Sequence, residues 1–172
     1  MNDRQELVPL PNDERLLADV GRLIDDARRR VSIRVNSELT MLYWSIGERI
    51  QADVLQGERA EYGDRIVARL AAALTARYGP GFSRVNLTMM LRLAAAYSER
   101  EIVRTLSEQL TWSHIQILIA IPDRLEREFY EIMSLREGWS VRTLRRHRER
   151  MLYQRTIATS RPMEQVEAEL AT

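Results

Sequence analysis

Arg84, Thr88 and Arg92 stand four residues apart, so on a helix they form one outward row of two guanidinium forks with a hydroxyl between them. Such a row suits the edge of a nucleic-acid groove, where arginine reaches base edges and phosphate oxygens. A second set, Arg142, Arg145 and Arg146, lies in a stretch that also holds Arg148, Arg150 and Arg155 against a single Glu149. Planar, permanently charged forks at that density fit a row of phosphates. The plain alternative for both sets is a solvated helix face, which is what most charge-rich rows are.

Other chemistry finds less support. The chain has no Cys and two His, which removes thiolate metal sites and leaves too few imidazoles for a typical zinc centre, so no metal and no cofactor is expected. There is no glycine-rich phosphate loop, nucleophile elbow or zincin motif. The carboxylates at Asp25, Asp26, Glu126, Glu128 and Glu131 fall on charged helix faces, where Asp123 with Arg127, Arg124 with Glu128 and Arg127 with Glu131 read as i,i+4 ion pairs. His114, beside Trp112 in the first turn of a helix, is the one tempting acid-base residue, with corner packing as its ordinary role. Trp44 reads as core or interface.

The elements that must hold the arginines are helical. The first row belongs to Asp64–Tyr97, two amphipathic segments joined by Gly79-Pro80-Gly81-Phe82-Ser83 in the manner of a helix-turn-helix. The first carries Ile66, Val67, Leu70 and Leu74, and Gly79 with Pro80 ends it. The second starts with Ser83 as N-cap and Phe82 as a staple on Leu87, and its buried stripe is Leu87, Met90, Leu91 and Ala94. The second arginine set belongs to a helix from Val141 to about Arg155 with a narrow stripe of Val141, Leu144, Met151 and Leu152.

Before these, residues 1–11 hold two prolines and read as a flexible arm. From an N-cap at Asn12, apolar residues recur through Leu16, Val20, Leu23, Ile24, Ala27, Val31, Val35, Leu39, Leu42, Ile46, Ile50 and Val54, giving one long helix or two nearly collinear ones to Gln56. A helix of that length needs a long partner surface. Either later helices pack back on it, or a second copy of the chain does, with Val35, Leu39, Leu42 and Ile46 as the dimer interface. Gly21 and Gly47 interrupt the pattern and signal close helix contacts. Gln56–Gly63 reads as a polar linker. Ser98 to Glu101 has capping-box form, and Trp112-Ser113 and Trp139-Ser140 repeat the aromatic-then-Ser start of Phe82-Ser83. Pro122 precedes a helix over Asp123–Glu137 with Leu125, Phe129, Ile132 and Met133 inward and Gly138 as its stop. Residues 159–172 read as a flexible acidic tail.

The net charge of +1 conceals an asymmetry: residues 77–161 carry 15 Arg against 9 acids, and every one of the 26 basic residues is Arg. The basic excess therefore coincides with both candidate rows, where a polyanion would want it. No apolar h-region follows Met1 and no apolar run is long enough to span a bilayer, so a cytoplasmic location and no membrane partner are expected.

Several ordered blocks resemble the N-terminal domain of the bacterial YhcG-type family: Leu42-Tyr43-Trp44-Ser45-Ile46-Gly47, Tyr62-Gly63, Gly79 to Ser83 with Asn86-Leu87, Leu110-Thr111-Trp112-Ser113-His114, Trp139-Ser140-Val141-Arg142 and Tyr153-Gln154-Arg155. The likeness covers about Leu16 to Arg155, with Thr111 where the pattern has Ser. The resemblance implies an all-helical DNA-binding module that normally precedes a nuclease domain of the PD-(D/E)XK class. That nuclease motif needs a lysine after its acidic pair, and the chain has none, so the activity does not carry over. The expectation is an all-α domain over 12–158, a long N-terminal helix packed on a helix-turn-helix-containing bundle of about six to seven helices. Its leading function is DNA binding as a homodimer, without enzymatic activity, with a separate nuclease chain as a candidate partner. The competing function is an oligomerisation or protein-interaction scaffold that never touches nucleic acid.

Overall fold

Apolar residues recurring every three or four positions give each segment one greasy stripe, and the stripes decide what packs on what. The computed structural model describes residues 11–55 and 60–158. Among these it is all-α: α1 Pro11–Leu55, α2 Ala60–Tyr78, a 3-10 turn Pro80–Phe82, α3 Arg84–Ala96, α4 Arg100–Gln109, α5 Trp112–Leu118, α6 Arg124–Arg136, α7 Val141–Glu149 and α8 Leu152–Ala158. The expected arm and acidic tail lie outside the described residues, apart from Pro11, which opens α1 one residue ahead of the expected Asn12 cap. Proline suits that place because its missing N–H would have had no helical acceptor there.

The long periodic segment is a single unbroken helix, and α3 and α4 pack along its C-terminal half. Gly47 makes the α3 contact possible: a Cβ there would sit 2.1 Å from the Met90 carbonyl oxygen. Gly21, expected to mark a second close contact, has nothing within 4 Å. Asn36 pins the other side. Its amide donates to the carbonyls of Ser107 (2.7 Å) and Leu110 (3.0 Å), and its oxygen accepts the Trp112 N–H at 3.0 Å, so one side chain fixes α1 to the α4–α5 corner.

Two apolar clusters share α3. Leu87 and Met90 pack with Ile50, Val67 and Ala71, while Leu93 and Ala94 join Trp44, Val103, Leu106, Ile115, Leu118, Ile121, Phe129, Tyr130 and Leu144. The inward stripe of α3 is thus completed by Leu93, with the expected Leu91 only half-buried. In α6 the stripe is likewise rotated: Tyr130 and Ser134 are buried with Phe129, whereas Leu125 and Ile132 are exposed.

Other expectations are corrected at the corners. The linker is shorter than Gln56–Gly63, since α2 already runs from Ala60 through a buried Gly63. Glu99 is the N-cap of α4 and makes no side-chain cap bond, so the Ser98–Glu101 box does not form. The cap of α5 is Thr111, not Ser113. The basic helix does not continue to Arg155: Met151 adopts φ 52 and divides it into α7 and α8. Tyr130 holds the far side of that break, its hydroxyl accepting from the Tyr153 N–H at 3.3 Å.

Candidate nucleic-acid interface

The α3 row begins at a well-built corner. Gly79 takes φ 95, the left-handed cap that glycine allows without a Cβ clash. Ser83 Oγ then accepts the Asn86 N–H at 3.4 Å, and the Asn86 amide returns to the Gly81 carbonyl at 3.0 Å. Phe82 packs on the cluster that holds Leu87. With Leu87, Met90, Leu93 and Ala94 turned inward, Arg84 and Arg92 are exposed. Thr88 is only half-exposed and its hydroxyl donates to the Arg84 carbonyl at 2.9 Å, so it serves its own helix first. Arg84 is loosely tied to Asp64 at 3.7 Å across the α2–α3 corner.

The second set is freer. Ser140 caps α7 by accepting the Thr143 N–H at 3.1 Å, and Leu144, fully buried, sets the helix's rotation. Arg142, Arg145 and Arg146 are then all exposed, and among the described residues none of them forms an ion pair. His147, stacked on Trp139 at 4.3 Å, is held below the ordinary imidazole range by burial first and then by repulsion from Arg146 and Arg150. Helix α5 packs against both α3 and α7. No hydrogen bond or ion pair among the described residues links the two arginine sets.

His114 has a structural role. Its Nε2–H donates to the Trp139 carbonyl at 2.9 Å, which leaves Nδ1 to accept from the Thr111 N–H (3.2 Å) and hydroxyl (2.8 Å). That network needs the neutral ring, and burial depresses its pKa accordingly. The residue ties the start of α5 to the start of α7.

Sequence reasoning missed the surroundings of Arg127. Of the three ion pairs expected on α6, Arg124 with Glu128 forms, at 2.6 Å. Asp123 instead caps the helix through the Glu126 N–H at 2.7 Å. Glu131 accepts from the Tyr97 hydroxyl at 2.7 Å, and burial raises both groups' pKa values. Arg127 donates to the Ile121 carbonyl at 3.1 Å and lies 5.9 Å from the centre of the Tyr97 ring. An i,i+4 spacing allows a pair but cannot show that a tyrosine from α3's end competes for the acid.

The expected dimer residues divide. Val35, Leu39 and Leu42 are 62%, 39% and 47% exposed, whereas Ile46 is half-buried against the Ile50–Leu87 cluster of its own chain. Nearer the N-terminus, Leu16, Leu17, Leu23 and Val31 are also exposed.

Fold and surface together define an all-helical domain with a mainly arginine-rich second half and, among the described residues, no group of His, Asp or Glu arranged to hold a metal. The chain belongs to the family described as the DUF1016 N-terminal domain, whose profile matches residues 19–155. It is similar, at 32% identity over 165 residues, to the Escherichia coli (strain K12) protein named "Putative nuclease YhcG". That match takes in 78% of this chain and 44% of the relative, so the chain spans less than half of that protein's length. No solved structure matches. Among the described residues no helix is long and apolar enough to cross a membrane.

Proposed function

We propose that the chain is a DNA-binding module of a nuclease-associated system, which recruits a polyanionic strand and does not itself cut it. The observation that carries this reading is α7: three exposed guanidiniums on a single capped helix, none of them neutralised by a neighbouring acid. Unpaired surface cations release counterions when they meet phosphates, which is the main source of sequence-independent affinity. In this reading Arg142, Arg145 and Arg146 hold phosphates, and the α2–turn–α3 arrangement acts as a helix-turn-helix with Arg84, Thr88 and Arg92 toward a groove. The name of the Escherichia coli relative supports a nucleic-acid context. A separate nuclease chain or a nuclease domain beyond this sequence would supply the chemistry in a cytoplasmic setting. Fluorescence anisotropy with a labelled duplex at low salt tests the proposal, and a chain that binds neither duplex nor single strand there contradicts it.

A second reading rests on a different observation. Helix α1 exposes an apolar stripe from Leu16 through Val31 and Val35 to Leu42 that no element among the described residues covers. Self-association through Val35, Leu39 and Leu42 would cover it, either as the dimer that carries the DNA surface or as the sole purpose of a scaffold. Mass measured by light scattering separates these cases when read beside the anisotropy.

A further inference from the structure

Arg92 is the last cation of the α3 row, and Ala96, four residues on, continues the same face. There the row opens into a cleft of about 440 Å³ lined by Arg92, Ala95, Ala96, the backbone turn Ile119 to Pro122, and Arg127. Three features of this cleft point to an anion. Two of its lining side chains are guanidiniums and none is a carboxylate. Its floor is made of small or apolar residues, so nothing bulky keeps a ligand from the cations. Arg127 is also held in advance: it donates to the Ile121 carbonyl at 3.1 Å, and among the described residues it forms no ion pair, since Glu128 pairs with Arg124 at 2.6 Å and Glu131 accepts from the Tyr97 hydroxyl at 2.7 Å while its charge acts on Arg127 from a distance. A guanidinium has five donors in a planar fork, so one anchored edge leaves others to offer.

We infer that this cleft is a phosphate subsite, in which Arg92 and Arg127 clamp one phosphate ester at the end of the α3 row. Its assignment to a backbone phosphate of the bound strand rests on the DNA-binding reading. The clamp itself requires only a phosphate ester, free or in a chain. Arg127 thereby becomes a binding residue contributed by α6, and it fixes where the strand leaves α3. A lysine at 127 could not hold the Ile121 carbonyl and a phosphate with the same planar geometry, so the site is specific for arginine.

The test uses the full chain with Arg92→Gln, Arg127→Gln, Arg127→Lys and Ala95→Glu, the last placing a carboxylate at the exposed mouth of the cleft, one helical turn from Arg92, with both arginines kept. Thermal melts establish that each variant is folded, and Arg92→Gln and Ala95→Glu alter exposed positions. With labelled duplex, each Gln variant and Ala95→Glu is expected to weaken binding on the order of tenfold, with a salt slope lower by about one phosphate equivalent, and Lys at 127 is expected not to restore it. Inorganic phosphate alone, followed by the NMR signals of arginine Nε–H groups, is expected to move Arg92 and Arg127 in the wild type and not in Ala95→Glu. If duplex binds normally and all four variants match the wild type in affinity and slope, the subsite is wrong while the DNA reading stands. If no DNA binds but phosphate still moves both arginines, the clamp stands as a free phosphate-ester site and the DNA reading falls. Silence in both experiments removes both.

Discussion

At the scale of single residues, the two arginine sets make separable predictions. Arg145→Ala or Arg146→Ala should weaken every duplex alike and flatten the salt dependence, because phosphate contacts carry no sequence information. Arg84→Ala should blunt preference among duplexes, by roughly 1–3 kcal/mol if the fork meets a base bidentately, whereas Arg92→Ala, at the phosphate clamp, should behave as the α7 variants do. Competition anisotropy with a panel of duplexes would show both effects, and an Arg84→Ala loss that is equal across the panel would mean that α3 reads no bases. His114 gives a prediction of another kind. Its folded pKa is depressed, so between that value and the unfolded imidazole value of about 6.5 the unfolded chain binds more protons. Its contribution is therefore complete above about 6.5 and is lost as pH falls through the folded value. Glu131, whose folded pKa is raised, acts with the opposite sign, losing its contribution as pH rises through the folded value. Urea melts of His114→Gln beside the wild type isolate the histidine: the wild type should lose more stability than the variant between pH 7.5 and 5, and parallel losses would show that the ring is not held neutral.

At the scale of elements, the glycines of α1 provide a matched pair. Gly47→Ala would drive a methyl into the Met90 carbonyl, 2.1 Å away, and the forced parting of α1 and α3 should cost about 1–3 kcal/mol, more than the helix propensity gained. Gly21→Ala meets open space and should stabilise α1 by up to about 1 kcal/mol in the monomer. Thermal melts of the two variants should shift in opposite directions. The same positions show what could be read in advance. Helix existence and the corners at Gly79, Ser83 and Ser140 were legible because a period of three to four and a Gly, Pro or Ser at a corner act locally, whereas the caps of α4 and α5 fell at Glu99 and Thr111. Leu93 replaced Leu91 in α3, and Tyr130 entered the core where Ile132 was expected, because a stripe's width cannot say which flank a neighbouring helix will cover. The break at Met151 carried no signal: a methionine stands in a left-handed position usually given to glycine, and Tyr130 from another helix holds the chain beyond it. Asn36 was unmarked for the same reason, since its three bonds go to groups more than seventy residues away. Of the candidate interface, the exposure of the arginines was readable from the apolar positions beside them. The diversion of the Glu131 carboxylate to the Tyr97 hydroxyl, in place of an ion pair with Arg127, was not.

At the scale of the whole molecule, two surfaces stand on one fold. In the proposed reading the apolar stripe of α1 would serve a dimer and the cationic faces of α3 and α7 a nucleic-acid strand, and Val35→Asp separates the two. Light scattering at tens of micromolar should show the wild type as a dimer and the variant as a monomer that still binds DNA, more weakly because one arginine surface now acts alone. A wild type that is monomeric throughout would leave α1 for another partner. The most direct measurement of the central claim is the affinity for a labelled duplex across a salt series, for the wild type and for the Arg142→Ala, Arg145→Ala, Arg146→Ala triple variant. The account predicts that the logarithm of the wild-type constant falls linearly with the logarithm of salt, by about 0.9 per phosphate held, and that the triple variant loses about three such units of slope along with most of its affinity. Equal slopes for the two proteins, or no binding by the folded wild type at low salt, would contradict it.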